Sequence, residues 1–182
     1  MRRQRTALLS TLALAFLLPM AVLAQQTSQI RGTWTLNRSQ SDDINVKINE
    51  SISRMNVLVR QIARPRLRAT NTPYPQLVIS YGDNVRVDMQ GRPSVQSPAN
   101  GQPVLWHRET GRTCPQVDGD CVRVTTEWQS GRLRQRFEAE DGVRENLYSV
   151  SADGNTLTMA VTITSPRLPQ PLTYRLVYDR AS

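Results

Sequence analysis

The chain has 182 residues, of which 38% are hydrophobic, 21% charged and 5% aromatic, giving room for one domain with one core. The formal charge is +8, carried by arginines and one lysine (Lys47), with one histidine (His107) and two cysteines. These counts exclude a histidine-based or four-cysteine zinc site. Asp118-Gly119-Asp120 is too short for a calcium loop, and no glycine-rich phosphate loop occurs. No nucleophile–base–acid set can be built around His107. The expectation is a non-enzymatic protein with no metal and no cofactor.

The N-terminus reads as a secretory signal. Arg2, Arg3 and Arg5 precede an apolar run from Ala7 to Leu18, and Val22-Leu23-Ala24 supplies small residues for cleavage after about Ala24. The run is shorter than the roughly 20 residues that span a bilayer, so no transmembrane segment is expected in the mature chain. Residues 25–182 then form a single domain of charge +5, in the periplasm or secreted. The preference for arginine over lysine follows from a GC-rich coding bias without selection for binding. Nucleic acid is therefore not an expected partner.

The elements follow in chain order. Thr33-Trp34-Thr35-Leu36 is a short first strand. Ile44, Ile48, Ile52, Met55, Val59 and Ile62 then recur at steps of four and three, which predicts one amphipathic helix over about 41–63, with Val57 and Leu58 widening the stripe. Ser39 or Ser41 can cap it, Glu50 and Arg54 pair along it, and Pro65 stops it. Its polar face carries few cations, which argues against membrane binding. Leu77, Ile79 and Tyr81, then Val85, Val87 and Met89, alternate about Gly82-Asp83-Asn84 as a hairpin. A loop runs from Gly91 to Pro103, and Val104-Leu105-Trp106 begins the next strand.

Val122, Val124, Thr126 and Trp128 share a face, as do Leu133, Gln135 and Phe137, with Arg132, Arg134 and Arg136 opposite. Asn146, Tyr148 and Val150 mark a further strand. Leu157, Met159, Val161 and Ile163, then Leu172, Tyr174, Leu176 and Tyr178, complete the pattern. Cys114 and Cys121 flank an Asp-Gly turn and read as a structural disulfide closing a hairpin loop, with a chain-entropy contribution of roughly 2.5 kcal/mol. Seven to nine strands joined by short turns form an antiparallel up-and-down meander, and closing it into a β-barrel hides its edges. A β-sandwich is the alternative.

Gly32-Thr33-Trp34 resembles the Gly-x-Trp signature of lipocalins. With the helix that follows, it is also similar to fatty-acid-binding proteins, whose C-terminal end Val177-Tyr178-Asp179-Arg180-Ala181 resembles. Both are calycin barrels. Gly32-Thr33-Trp34-Thr35-Leu36-Asn37 and Val177-Tyr178-Asp179-Arg180 further resemble the two ends of small exported bacterial proteins of unestablished function. The resemblance implies a lipocalin-like β-barrel with the helix after strand one. Trp34 would plug one end, with Arg180 or Arg175 stacked on its ring.

In the fatty-acid-binding family an Arg-x-Tyr pair on the last strand holds a carboxylate. Tyr178 falls on the tyrosine position, Leu176 stands where the arginine would be, and Arg175 is one residue away. A shift of one residue flips a side chain to the other face of a sheet. The expected ligand-binding set is Tyr178, Arg175 and Tyr174 on the last strand with Ile48, Ile52, Met55 and Val59 on the helix. There the stripe serves either as a lid or as plain packing. The expected function is to carry or sequester a small lipophilic or amphipathic molecule. The alternative is a filled barrel without a ligand, acting as a structural or interaction module of the envelope. The row Arg132, Arg134 and Arg136 is read as a solvated face or as a surface for an anionic envelope polymer or protein.

Overall fold

The computed structural model describes residues 29–181; the expected signal segment lies outside them. One antiparallel sheet of ten strands runs β1 (Gly32–Asn37), β2 (Gln76–Tyr81), β3 (Val85–Met89), β4 (Val95–Ser97), β5 (Val104–His107), β6 (Cys121–Gln129), β7 (Arg132–Ala139), β8 (Gly142–Val150), β9 (Thr156–Thr164) and β10 (Leu172–Arg180). Every strand from β5 to β10 pairs with its sequence neighbour, as do β1 to β4, and β10 returns to pair with β1. This is a nearly closed meander barrel, and its single sheet sets aside the sandwich. The seam between β4 and β5 has no ladder. It is bridged by the Ser97 and Thr126 hydroxyls and by the Gly101 N–H, which donates to the Thr126 carbonyl at 2.9 Å. The strand count exceeds the expected range because β4, only three residues long, hides in the proline-rich stretch that reads as a loop.

The period-two pattern holds along the wall. Leu157, Met159, Val161, Leu172, Tyr174, Leu176 and Tyr178 are buried, and Thr173 and Arg175 between them are exposed. The Cys114–Cys121 disulfide is present, with Cα atoms 6.1 Å apart, and ties the loop between β5 and β6.

The single helix expected over 41–63 is two: α1 (Ile44–Ser51) and α2 (Val57–Thr70). Asp43, not Ser39 or Ser41, caps α1, its carboxylate accepting from the Asn45 N–H at 2.8 Å. Lys47 rather than Arg54 pairs with Glu50. Asn56 caps α2 by accepting from the Leu58 N–H at 2.9 Å, and this local bond is stronger than the continuity of the apolar stripe. The break resets the helical phase. Ile44, Ile48 and Ile52 stay buried and Met55 is half-buried, but Val59 and Ile62 turn outward. Pro65 does not stop α2. It lies on the outer face with Gln61, so the carbonyl that loses its donor faces water and the helix continues to Thr70.

Candidate functional site

Near the helix end of the barrel, β8 projects Arg144, Asn146 and Tyr148 inward in succession. The same alternation turns Glu145 outward to pair with Arg134. The Arg144 Nε donates to Asn146 Oδ1 at 2.9 Å and one Nη donates to Asn71 Oδ1 at 3.4 Å. Tyr74, Tyr148 and Tyr174 surround the guanidinium. These groups enclose the guanidinium, while the residue as a whole is half-buried. No carboxylate pairs with Arg144 among the described residues.

Asn71 connects this cluster to the helices. It is buried immediately after α2, and its Nδ2 donates to the Leu67 carbonyl at 2.8 Å. Its Oδ1 accepts both from Arg144 and from the Tyr174 hydroxyl, the latter at 3.0 Å. One amide therefore caps the helix and occupies the strongest donors of the cluster. Asn71 also forms part of the wall of a cleft of about 490 Å³, bounded by Leu36, Asp42, Ile44, Pro73 and Leu176 between the start of α1 and the end of α2. The cleft opens to solvent and reaches the cluster at Asn71.

Deeper in the barrel, Asn146 donates to the Tyr148 hydroxyl at 3.2 Å, and Tyr148 donates to Gln135 Oε1 at 3.4 Å. Gln135 in turn contacts Thr126 at 3.5 Å. The Tyr178 hydroxyl is buried with no partner, an exception to the general satisfaction of buried polar groups. Burial pushes the phenols of Tyr148, Tyr174 and Tyr178 above their ordinary range, so all three remain neutral.

The opposite end is sealed. Trp34 is fully buried, and its Nε1 donates to the Ile30 carbonyl at 3.0 Å. The Arg180 guanidinium lies 4.2 Å from the Trp34 ring and donates to the carbonyls of Gly154, Arg31 and Gln29. Gly32 makes room for it: its φ is +140°, and a Cβ there would lie 2.7 Å from an Arg180 nitrogen. The Gly-x-Trp pattern and the C-terminal arginine are thus two halves of one plug.

Among the residues expected at the ligand site, Tyr174 and Tyr178 face the interior, and Ile48 and Ile52 pack on the core. Arg175 is outside: it is exposed, its N–H donates to Asp42 at 2.7 Å and its guanidinium to the Gln40 carbonyl at 3.4 Å, because the strand alternation turns it away from Tyr174. Val59 is 53% exposed and does not cover the mouth. Arg134 and Arg136 face outward and are paired with Glu127, Glu145 and Glu138, so most of the expected arginine row is neutralised locally. Sequence reasoning passed over Arg144 and Asn71. For Arg144 the signal was available, since it shares the face of Asn146, Tyr148 and Val150 at a step of two.

No protein-family model matches the chain, and no curated protein matches it. Its fold is shared by solved structures. An abundant heat-soluble protein of Ramazzottius varieornatus aligns at a TM-score of 0.53 and 10% identity, covering 84% of this chain and 96% of that one. A fatty-acid-binding protein of Schistosoma mansoni, in complex with arachidonic acid, aligns at 0.52 and 20% identity, covering 86% and 99%. Fatty-acid-binding protein 1 of Echinococcus granulosus aligns at 0.50 and 14% identity, covering 85% and 99%. The likeness is one of fold, a nearly closed antiparallel meander barrel with helices after the first strand.

Proposed function

We propose that this chain is an exported, non-enzymatic binding protein. It takes a small amphipathic molecule into the helix end of the barrel and holds the molecule's anionic group on Arg144. The observation that carries this reading is an enclosed guanidinium in the barrel whose side-chain acceptors, among the described residues, are amide oxygens. An enclosed cation without a counter-charge is costly, and a carboxylate, sulfonate or phosphate would form the missing charge-assisted bonds. Tyr174, and Asn71 through its amide, flank the position, and the apolar wall of Leu172, Leu176 and Val161 receives the tail. The cleft beside Asn71 provides the entry. The fold supports the reading by analogy, since the Schistosoma barrel holds a carboxylate amphiphile. The disulfide fits an oxidising compartment.

The hydrogen-bonded chain from Thr126 through Gln135 and Tyr148 to Asn146 favours a second reading for the deeper half alone, a filled core without a ligand.

Displacement of anilinonaphthalenesulfonate by dodecanoate and by dodecanol tests the proposal. The acid is expected to displace the dye at micromolar concentration and the alcohol to bind at least about tenfold more weakly, the difference a charged hydrogen bond makes. Arg144→Met is expected to remove that preference. Equal binding of acid and alcohol by the unaltered protein, or no binding of either, would sink the reading.

A further inference from the structure

The helices carry a second surface on the side turned away from the barrel; of its residues Arg68 also borders the cleft. On α2 the side chains facing the core are Ala63 and Leu67, with Arg60 and Arg64 half-buried beside them. The opposite face presents Leu58, Ile62, Pro65 and Ala69 at steps of four, three and four, all exposed. Leu58 is 70% and Ile62 60% exposed, and Val57 and Val59 widen the same ridge at 61% and 53%. These four and Val46 on α1 are the large hydrophobic side chains exposed among the described residues. In helical projection Arg66 falls on one side of the ridge and Arg68 on the other.

Charge is distributed just as unevenly. No aspartate or glutamate occurs between Glu50 and Asp83, a stretch that contains Arg54, Arg60, Arg64, Arg66 and Arg68. None of these five takes part in an ion pair among the described residues. The barrel wall, by contrast, pairs Arg86, Arg108, Arg123, Arg134, Arg136 and Arg167 with acids. A helix read as ending at 63 lacks three of those cations; continuing to Thr70 brings them onto the element that exposes the apolar ridge.

We propose that the outer face of α2 is a docking surface for an anionic phospholipid bilayer, with Leu58, Ile62 and the flanking valines entering the interface and Arg66 and Arg68 meeting lipid phosphates. An apolar stripe bordered by arginines is the arrangement that lies in a membrane interface, and the unpaired positive charge selects an anionic surface over a protein patch of mixed sign. No helix among the described residues is long and apolar enough to cross a membrane, so α2 lies on the surface. The proposal is independent of whether the barrel holds a ligand.

The test is co-sedimentation of the protein, as its producing cell processes it, with phosphatidylcholine vesicles with and without phosphatidylglycerol. Partitioning is expected to be at least about tenfold stronger on the anionic vesicles and to weaken as salt rises. Arg66→Gln with Arg68→Gln should lower it by about tenfold or more, and Leu58→Ser with Ile62→Ser by a similar factor that salt does not alter. All four side chains are exposed, and melting curves check that both double variants remain folded. Binding that ignores lipid charge, or that neither double variant reduces, overturns the proposal. So does a stable dimer that Leu58→Ser with Ile62→Ser dissociates while vesicle binding is unchanged, since the ridge would then belong to a second copy of the chain.

Discussion

Two arginines on the inner wall of this barrel, one toward each end, have opposite surroundings. Arg180 lies on an indole and donates to three backbone carbonyls, which leaves it little capacity for anything else. Arg144 reaches two amide oxygens, one of them at 3.4 Å and shared with a tyrosine. The same side chain is thus used as a closure at one end and left available at the other. What separates the roles is the supply of acceptors. Where the chain turns at the sealed end, free carbonyls surround the guanidinium. Under the helices the side-chain acceptors that reach Arg144 are neutral amides.

The largest effect that would sharpen this contrast is on stability. Trp34→Ala should cost about 3–5 kcal/mol, whereas Arg144→Met should change stability by less than about 1 kcal/mol or raise it, because an apolar replacement removes an uncompensated buried charge. Denaturant titration of both variants measures the difference, and a large loss from Arg144→Met would make that arginine structural too. A middle-sized effect concerns Asn71. Asn71→Asp sets a carboxylate against Arg144 and should weaken dodecanoate binding by about tenfold or more while leaving dodecanol nearly unaffected; dye displacement reads both.

The smallest effect appears only in alkali. Phenols of the unfolded chain ionise near about pH 10, while those of Tyr148, Tyr174 and Tyr178 are held above that by burial. Above that pH the folded state keeps protons that the unfolded state has released. Stability is therefore complete below it and falls as pH rises, by up to about 1.4 kcal/mol per pH unit for each phenol. Tyr148→Phe should flatten the decline, as followed by unfolding on either side of the transition.

Much of the wall was legible because a strand with one wet face writes its burial every second residue, as Leu157 to Ile163 and Leu172 to Tyr178 do. The plug was readable as far as Trp34 and a C-terminal arginine, but not the reason for Gly32, which depends on where Arg180 passes in space. The helical region was misread for a local cause. Asn56 suits a helix interior in an apolar repeat only if its side chain stays away from the backbone, and here it caps instead. Arg144 escaped notice because arginine inside a strand ordinarily marks the wet face, as it does at Arg132, Arg134 and Arg136. Only the pairing of β8 with its neighbours turns that expectation round. A proline ordinarily ends a helix, so a sequence with Pro65 offers no helix for Asn71 to cap, whereas the helix runs on to Thr70.

The seam between β4 and β5 has a consequence for behaviour at high concentration. It is the one place in the described sheet where two strands each present an unmatched edge to their surroundings. Pro93 and Pro98 bracket the first and Pro103 immediately precedes the second, and a proline has no N–H to offer an incoming strand. A visiting chain that tries to extend the sheet there meets an interrupted row of donors on both sides. The seam is thereby made a poor template for fibrils, although no ladder closes it.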